Sequence, residues 1–214
     1  MPNRPDPFGF IAQNLSLRPA PGLPGLQLYS AHPGSGLSRI AGLQRGAPYW
    51  AYSWAGGLAL ALHLRACPEL AQSRHVLDLG SGSGLVAIAA AQAGAAQVSA
   101  VDIDPWARAA IGLNAAANGV NVAVLDRDLT DPDQPLPQAD LILAGDVFYA
   151  KALVPRMLSV LERFAAAGAL VLIGDPGRPA LPRHRLTHLA SYPVRDMGER
   201  ADTVTQGQVF RLDR

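Results

Sequence analysis

Cysteine is almost missing from this chain: Cys67 stands alone. One thiol allows no internal disulfide and no cysteine-based metal cluster. Lysine is as scarce, Lys151 being the only one, so the bases are nearly all arginine. Neither sign of charge prevails, since 18 basic residues face 17 acidic ones for a net +1. Such a balance gives no bulk-charge reason to expect nucleic acid as a partner. Long apolar runs are also lacking. The longest, over 85–96, is mostly alanine and far short of the ~20 residues a bilayer span needs. The opening MPNRPDPFGF shows no apolar stretch behind a basic cluster, so no signal peptide is expected. No membrane role and a cytoplasmic, reducing setting are the expectations. The five histidines include His184 and His188, four apart as on one helix face, but no HExxH pattern surrounds them. An ordinary exposed helix is expected there, and no metal.

Aromatics are few as well, 6% of the chain, yet Tyr49, Trp50, Tyr52 and Trp54 crowd into PYWAYSWAGG, just ahead of Gly56 and Gly57. Hydrophobic residues make up 49% and charged ones 16%, a globular composition. With 214 residues the chain is read as one domain over 48–214 behind an N-terminal extension over 1–47. That extension carries seven prolines by position 33 and reads as loop-rich.

Beyond it the pattern becomes regular. Gly56 to Leu70 has leucines at a strand-like spacing, but its length and alanines favour a helix. HVLDL (75–79), QVSAVDI (97–103), VNVAVLD (120–126), DLILAGD (140–146) and ALVLIG (169–174) read as buried strands. Helices are expected over 84–94, 104–119 and 151–166. The second opens with Asp104 as N-cap and Pro105 in its first turn, and closes on Gly119. Strands alternating with helices predict an α/β fold with a mostly parallel sheet covered on both faces. The tail, SYPVRDMG and TVTQGQVFRLDR, predicts a terminal antiparallel hairpin.

VLDLGSGSG (76–84) joins a strand to a helix. Gly80, Gly82 and Gly84 let the backbone turn sharply and approach a ligand closely. The dinucleotide fingerprint would want a third glycine where Leu85 stands. Asp78, just before the glycines, would repel a pyrophosphate but suits an ammonium group. S-adenosylmethionine carries an ammonium, a carboxylate and no phosphate. Asp102, at the end of the next strand, is placed to accept from ribose hydroxyls. After the third strand, Asp128 is placed to accept from an adenine amino group, with Leu129 against the ring.

PYWAYSWAGG, VLDLGSGSGLVAIAAA, VDIDPWA, GDVFYA and IGDPGRP follow one another as in the electron-transfer flavoprotein β-subunit lysine methyltransferases, which this chain resembles from about 48 to 179. Asp146–Val147–Phe148–Tyr149 resembles the D-x-x-Y/F motif of the wider group of protein-lysine methyltransferases. The resemblance implies a Rossmann-like, seven-stranded class I sheet ending in an antiparallel hairpin. It implies S-adenosylmethionine as cofactor, held by Trp54, Asp78, Gly80, Ser81, Gly82, Asp102, Ile103, Asp128 and Leu129. It implies Asp146 and Tyr149 as the catalytic residues, and a protein presenting a lysine as partner, the electron-transfer flavoprotein β subunit. A different acceptor, such as a ribosomal protein or a small amine, and a non-catalytic cofactor-binding module are the alternatives. The other rings near Trp54 either wall the pocket or staple the lead-in. GDPGRP (174–179) either borders the mouth or pairs Asp175 with Arg178 inside a turn.

Overall fold

A computed structural model describes residues 6–40, 48–195 and 204–213. Its centre is a seven-stranded sheet in the order β5-β4-β3-β6-β7-β9-β8. The strands are β3 (His75–Leu79), β4 (Gln97–Val101), β5 (Ala123–Leu125), β6 (Leu141–Gly145), β7 (Leu170–Asp175), β8 (Leu186–Arg195) and β9 (Val204–Leu212). Strands β3 to β7 pair in parallel, and β9 runs antiparallel to both β7 and β8. This is the mostly parallel sheet with an antiparallel end that the sequence predicts. Residues 196–203, between β8 and β9, lie outside the described residues.

Side-chain alternation along the strands separates two cores. Val76, Leu141 and Leu143 pack with α2 (Ala55–Ala66) and α3 (Leu85–Gln92). Leu77, Leu79, Ile142 and Ala144 pack on the opposite face with α5 (Val154–Ala166), through Val160, Leu161 and Phe164. Helix α2 has no polar stripe. Leu58, Leu60 and Leu64 are fully buried, and so are the alanines between them. A helix buried all round shows no 3.6-residue periodicity, which explains the strand-like leucine spacing in its sequence.

Helix α4 (Pro105–Ala117) begins as the sequence predicts, with Asp104 Oδ1 accepting from Trp106 N at 2.9 Å. The strand expected over 120–126 is only three residues long. The lead-in departs further. Residues expected to be loop-rich form helix α1 (Pro7–Asn14) and an antiparallel hairpin of β1 (Ser16–Ala20) and β2 (Leu23–Ser30). Proline misleads here because an edge strand tolerates it. Both elements lie against α4: Asn114 Oδ1 accepts from Tyr29 N at 2.7 Å, and Asn118 Oδ1 from Gln27 N at 2.8 Å. A second correction concerns His184 and His188. They occupy a short 3-10 turn and strand β8, not one helix face, because the segment pairs with β9. Among the described residues there is no group of side chains fit to hold a metal and no helix long and apolar enough to cross a membrane.

The chain leaves β3 for β4 and β5 on one side, then returns to β6 on the other. At this reversal the connections part beyond the carboxyl ends of the strands, which is where open α/β sheets hold ligands.

Candidate active site

A cleft of about 660 Å³ opens at that reversal. Its floor is the β3–α3 turn. Gly80 and Gly82 take left-handed backbone angles, φ 69° and 57°, and a side chain added at Gly82 would meet no atom within 4 Å. The backbone there faces open space, as a ligand cradle requires. Asp78 lies beneath, 1% exposed. Its Oδ2 accepts from Ser81 Oγ at 2.5 Å and from Ala87 N at 3.1 Å, while Oδ1 has no protein partner among the described residues. Burial pushes its carboxyl up to about 7, against these hydrogen bonds.

Asp102 forms the next wall. Its Oδ2 accepts from Gly82 N at 2.9 Å and its Oδ1 from Asp104 N at 2.9 Å, so it ties β4 to the glycine turn. Burial raises its pKa, opposed by those two N–H groups. Ile103, 69% exposed, stands on the rim and Leu129, 1% exposed, lies behind. Asp128 is more heavily engaged than its sequence assignment suggests. Oδ1 accepts from Thr130 N and Oγ1, at 3.0 and 2.5 Å, and Oδ2 pairs with Arg156 at 3.1 Å. The Thr130 hydroxyl is the main cause of its lowered pKa.

The other end of the cleft is aromatic. Tyr49 stacks on Tyr149, with centroids 5.5 Å apart and planes at 30°, and meets Trp54 at 5.5 Å. Trp54 Nε1 donates to Tyr49 O at 2.9 Å, and Tyr52 sits edge-on to Trp54 at 6.2 Å. Tyr49 and Tyr149 are both about half exposed. Burial raises the Tyr149 pKa, with Tyr49 and Asp102 adding to it. Trp50 does both jobs the sequence left open for these rings: it borders the cleft and lies in the core that carries the lead-in, stacked on Trp106. Its Nε1 is the buried side-chain donor without a partner among the described residues.

Asp146 lies between the aromatic end and the sheet. Its backbone is left-handed, φ 58°, a conformation that Asp tolerates better than most residues. Its Oδ2 accepts from Gly57 N at 2.8 Å, so it caps the first turn of α2 and not the helix that follows it in sequence. Its Oδ1 pairs with the Arg178 guanidinium. Burial pushes the Asp146 pKa up, opposed by Arg178 and by the N–H groups of Gly57 and Gly56. Both readings of GDPGRP hold together. Asp175, fully buried, accepts from Gly177 N and Arg178 N at 2.7 Å each and from the Arg178 guanidinium at 3.3 Å, while Arg178 also lines the cleft.

The cleft thus gathers every sequence-predicted site residue. Arg156 and Met157 of α5, Arg127 and Thr130 line it too and were not foreseen, since nothing local in their sequence points inward. A second cleft, about 690 Å³, lies at the opposite ends of the strands near Arg74, Asp140 and Arg211 and holds none of the predicted residues.

The sequence model of the ribosomal protein L11 methyltransferase (PrmA) family matches residues 61–174. The electron transfer flavoprotein beta subunit lysine methyltransferase of Rattus norvegicus is 43% identical over 153 residues, which is 69% of this chain and 59% of that protein. The chain therefore spans less than two thirds of that relative's length. Among solved structures, TrmN of Thermus thermophilus superposes with a TM-score of 0.54 at 24% identity, over 71% of this chain and 48% of that one. Magnesium protoporphyrin IX methyltransferase of Synechocystis PCC 6803, solved with bound SAM, gives 0.51 at 19%, over 72% and 76%. These two likenesses concern the fold.

Proposed function

The chain belongs to the ribosomal protein L11 methyltransferase (PrmA) family, and from that premise we propose that it moves a methyl group from S-adenosylmethionine to a lysine side chain of a protein, the electron transfer flavoprotein beta subunit. The observation that carries the proposal is that one cleft gathers both ends of the site. One end offers a glycine cradle with the buried Asp78 and the half-buried Asp102, the other an aromatic mouth around Asp146. The name of the rat relative supports the choice of acceptor.

The residues present fit S-adenosylmethionine. Asp78 Oδ1 is left to face an ammonium, Asp102 lies where ribose hydroxyls would donate to it, and Trp50 Nε1 is an orphaned donor at the same cleft. With both its oxygens bonded to Thr130 and Arg156, Asp128 would take an adenine amino group only as an additional donor. The bound cofactor supplies an electrophilic methyl carbon. The protein holds the lysine nitrogen in line with it and excludes water, which is where most of the acceleration in such a displacement arises. Tyr49, Tyr149 and Trp54 present aromatic faces, to which a cationic sulfonium and a lysine chain are both drawn.

Incubation with labelled S-adenosylmethionine and the purified beta subunit, with a cell extract in parallel, tests this reading. Label on a lysine of the beta subunit is the expected result. Label on a ribosomal protein instead would move the acceptor toward the one named in the family's description. Cofactor binding with no transfer to any protein would leave only a binding module.

Replacing Asp102 by alanine is expected to weaken cofactor binding by about 1–2 kcal/mol, since the ligand loses a charged acceptor and Gly82 N loses its partner. Calorimetry on the folded variant checks this. A variant that unfolds while its folded fraction binds normally would make Asp102 a structural residue.

A further inference from the structure

The Asp146 carboxylate, at the aromatic mouth where the incoming lysine would enter, already has a cation beside it. Arg178 pairs with Oδ1, and the first N–H groups of α2 face Oδ2. Its charge is thus matched before any substrate arrives. Arg178 is itself fixed: Asp175, buried and bonded to the backbone of its own turn, holds the guanidinium from the other side at 3.3 Å. Burial works against the Arg178 charge, but Asp146 and Asp175 outweigh it and raise its pKa. The Arg178 side chain lines the cleft and is 21% exposed.

We propose that Arg178 is a positioning residue that offsets the charge of the Asp146 carboxylate at the acceptor end of the cleft, so that the substrate lysine is taken up as the free amine that methyl transfer requires. The inference rests on the methyl-transfer reading above. A bare carboxylate at Asp146 would do the opposite. It would bind the ammonium form and stabilise it, and an ammonium has no lone pair. With Arg178 in place, an ammonium entering the aromatic mouth loses water and meets a neutral pair with a guanidinium on it. Leaving its proton with solvent becomes the cheaper course. The nitrogen lone pair then forms the new C–N bond as the C–S bond breaks. The electron pair of that bond returns to sulfur, and the positive charge passes from sulfonium to the methylated nitrogen. The neutralised Asp146 still orients the amine, through the oxygen lone pairs that Arg178 and Gly57 leave unused.

Other titratable or charged groups face this end: Tyr149 and Tyr49 from the mouth, Asp175 and Arg183 from the loop after β7, and Asp102 from β4. None of them replaces the contact of Arg178 with Oδ1.

The test is the rate of transfer to the beta subunit at saturating cofactor, followed from about pH 6 to about pH 10. In the unaltered enzyme the rising limb should lie well below the ~10.4 of a free lysine. In Arg178→Gln it should move up by about one unit, costing on the order of tenfold at neutral pH and little at high pH. Arg178→Lys, which keeps a cation, should restore much of the original profile. Cofactor affinity should be unchanged in both. A wild-type limb already at the free-lysine value overturns the proposal without any variant. So does an Arg178→Gln rate lowered equally at every pH, or one left unaltered, because a purely structural arginine would give those results. No transfer by the wild-type enzyme at any pH would instead bring down the methyl-transfer reading, and this inference with it.

Discussion

Gly174→Ala should leave little folded protein. Gly174 lies near the end of β7, directly under the first turn of α2. A Cβ added there would come within 2.1 Å of Gly56 O and 2.8 Å of Leu60 Cγ. The contact is reciprocal, since a Cβ at Gly56 would lie 2.1 Å from Gly174 O, and one at Gly145 would lie 3.0 Å from Gly57 Cα. The atoms met are mainly backbone, so no rotamer change relieves the clash. Helix α2 would have to lift, and its fully buried leucines with it. Overpacking ordinarily costs about 1–3 kcal/mol. Displacing a central helix should exceed that and remove a large part of the ~5–15 kcal/mol that holds a domain together. Denaturant unfolding provides the measurement. Gly119→Ala is the control: Gly119 also has a positive φ, 64°, but open space around it, so only about 1 kcal/mol of strain is expected. If Gly174→Ala unfolds at the same midpoint as Gly119→Ala, the helix does not press on the sheet as described.

This contact explains two glycines following a knot of aromatics. Gly56 and Gly57 let α2 start against the strand ends, so the rings just before it reach the mouth and Gly57 N reaches Asp146. Nothing in the sequence around 56–57 reveals this, because the partners, Gly145 and Gly174, are some ninety to 120 residues away. The features that were legible are local ones. The glycine turn with Asp78 and Asp102, the Asp104 cap and the strand runs of β3 to β7 each lie within one strand–helix unit. What could not be read depends on distant pairings. The bond between Tyr29 and Asn114 turns a proline-rich lead-in into a hairpin packed on α4. The pairing of Arg178 with Asp146 crosses from the loop after β7 to the loop after β6. His184 and His188 failed as a helix pair for the same reason, since His188 lies in a strand that pairs with β9 and His184 in the short turn before it.

Asp146→Ala should separate catalysis from cofactor binding. On the proposed reading, Asp102 and the glycine turn serve the cofactor end of the cleft, whereas Asp146 serves the acceptor end with Tyr149 and Arg178. Its loss should lower turnover on the order of 10²-fold, because a group that aligns the nucleophile acts mainly in the transition state. Cofactor affinity should change far less. The structure adds a cost in stability. Alanine at φ 58° is strained, Gly57 N loses its acceptor, and Arg178 keeps only Asp175. A cap and a left-handed residue are each worth about 1 kcal/mol, so the variant should be weakened but folded. Asp146→Asn divides the two effects. An amide oxygen still accepts from Gly57 N and asparagine tolerates the left-handed backbone, so stability should largely return. Turnover should not, because the amide nitrogen then faces the Arg178 guanidinium, donor against donor, and no oxygen remains on that side to orient the amine. Calorimetry gives the cofactor affinity, and methyl transfer at saturating cofactor gives the rate. Near-normal transfer by Asp146→Ala, or binding that falls in proportion to activity, would place the acceptor site elsewhere. Full recovery of rate in Asp146→Asn would reduce Asp146 to a cap for α2.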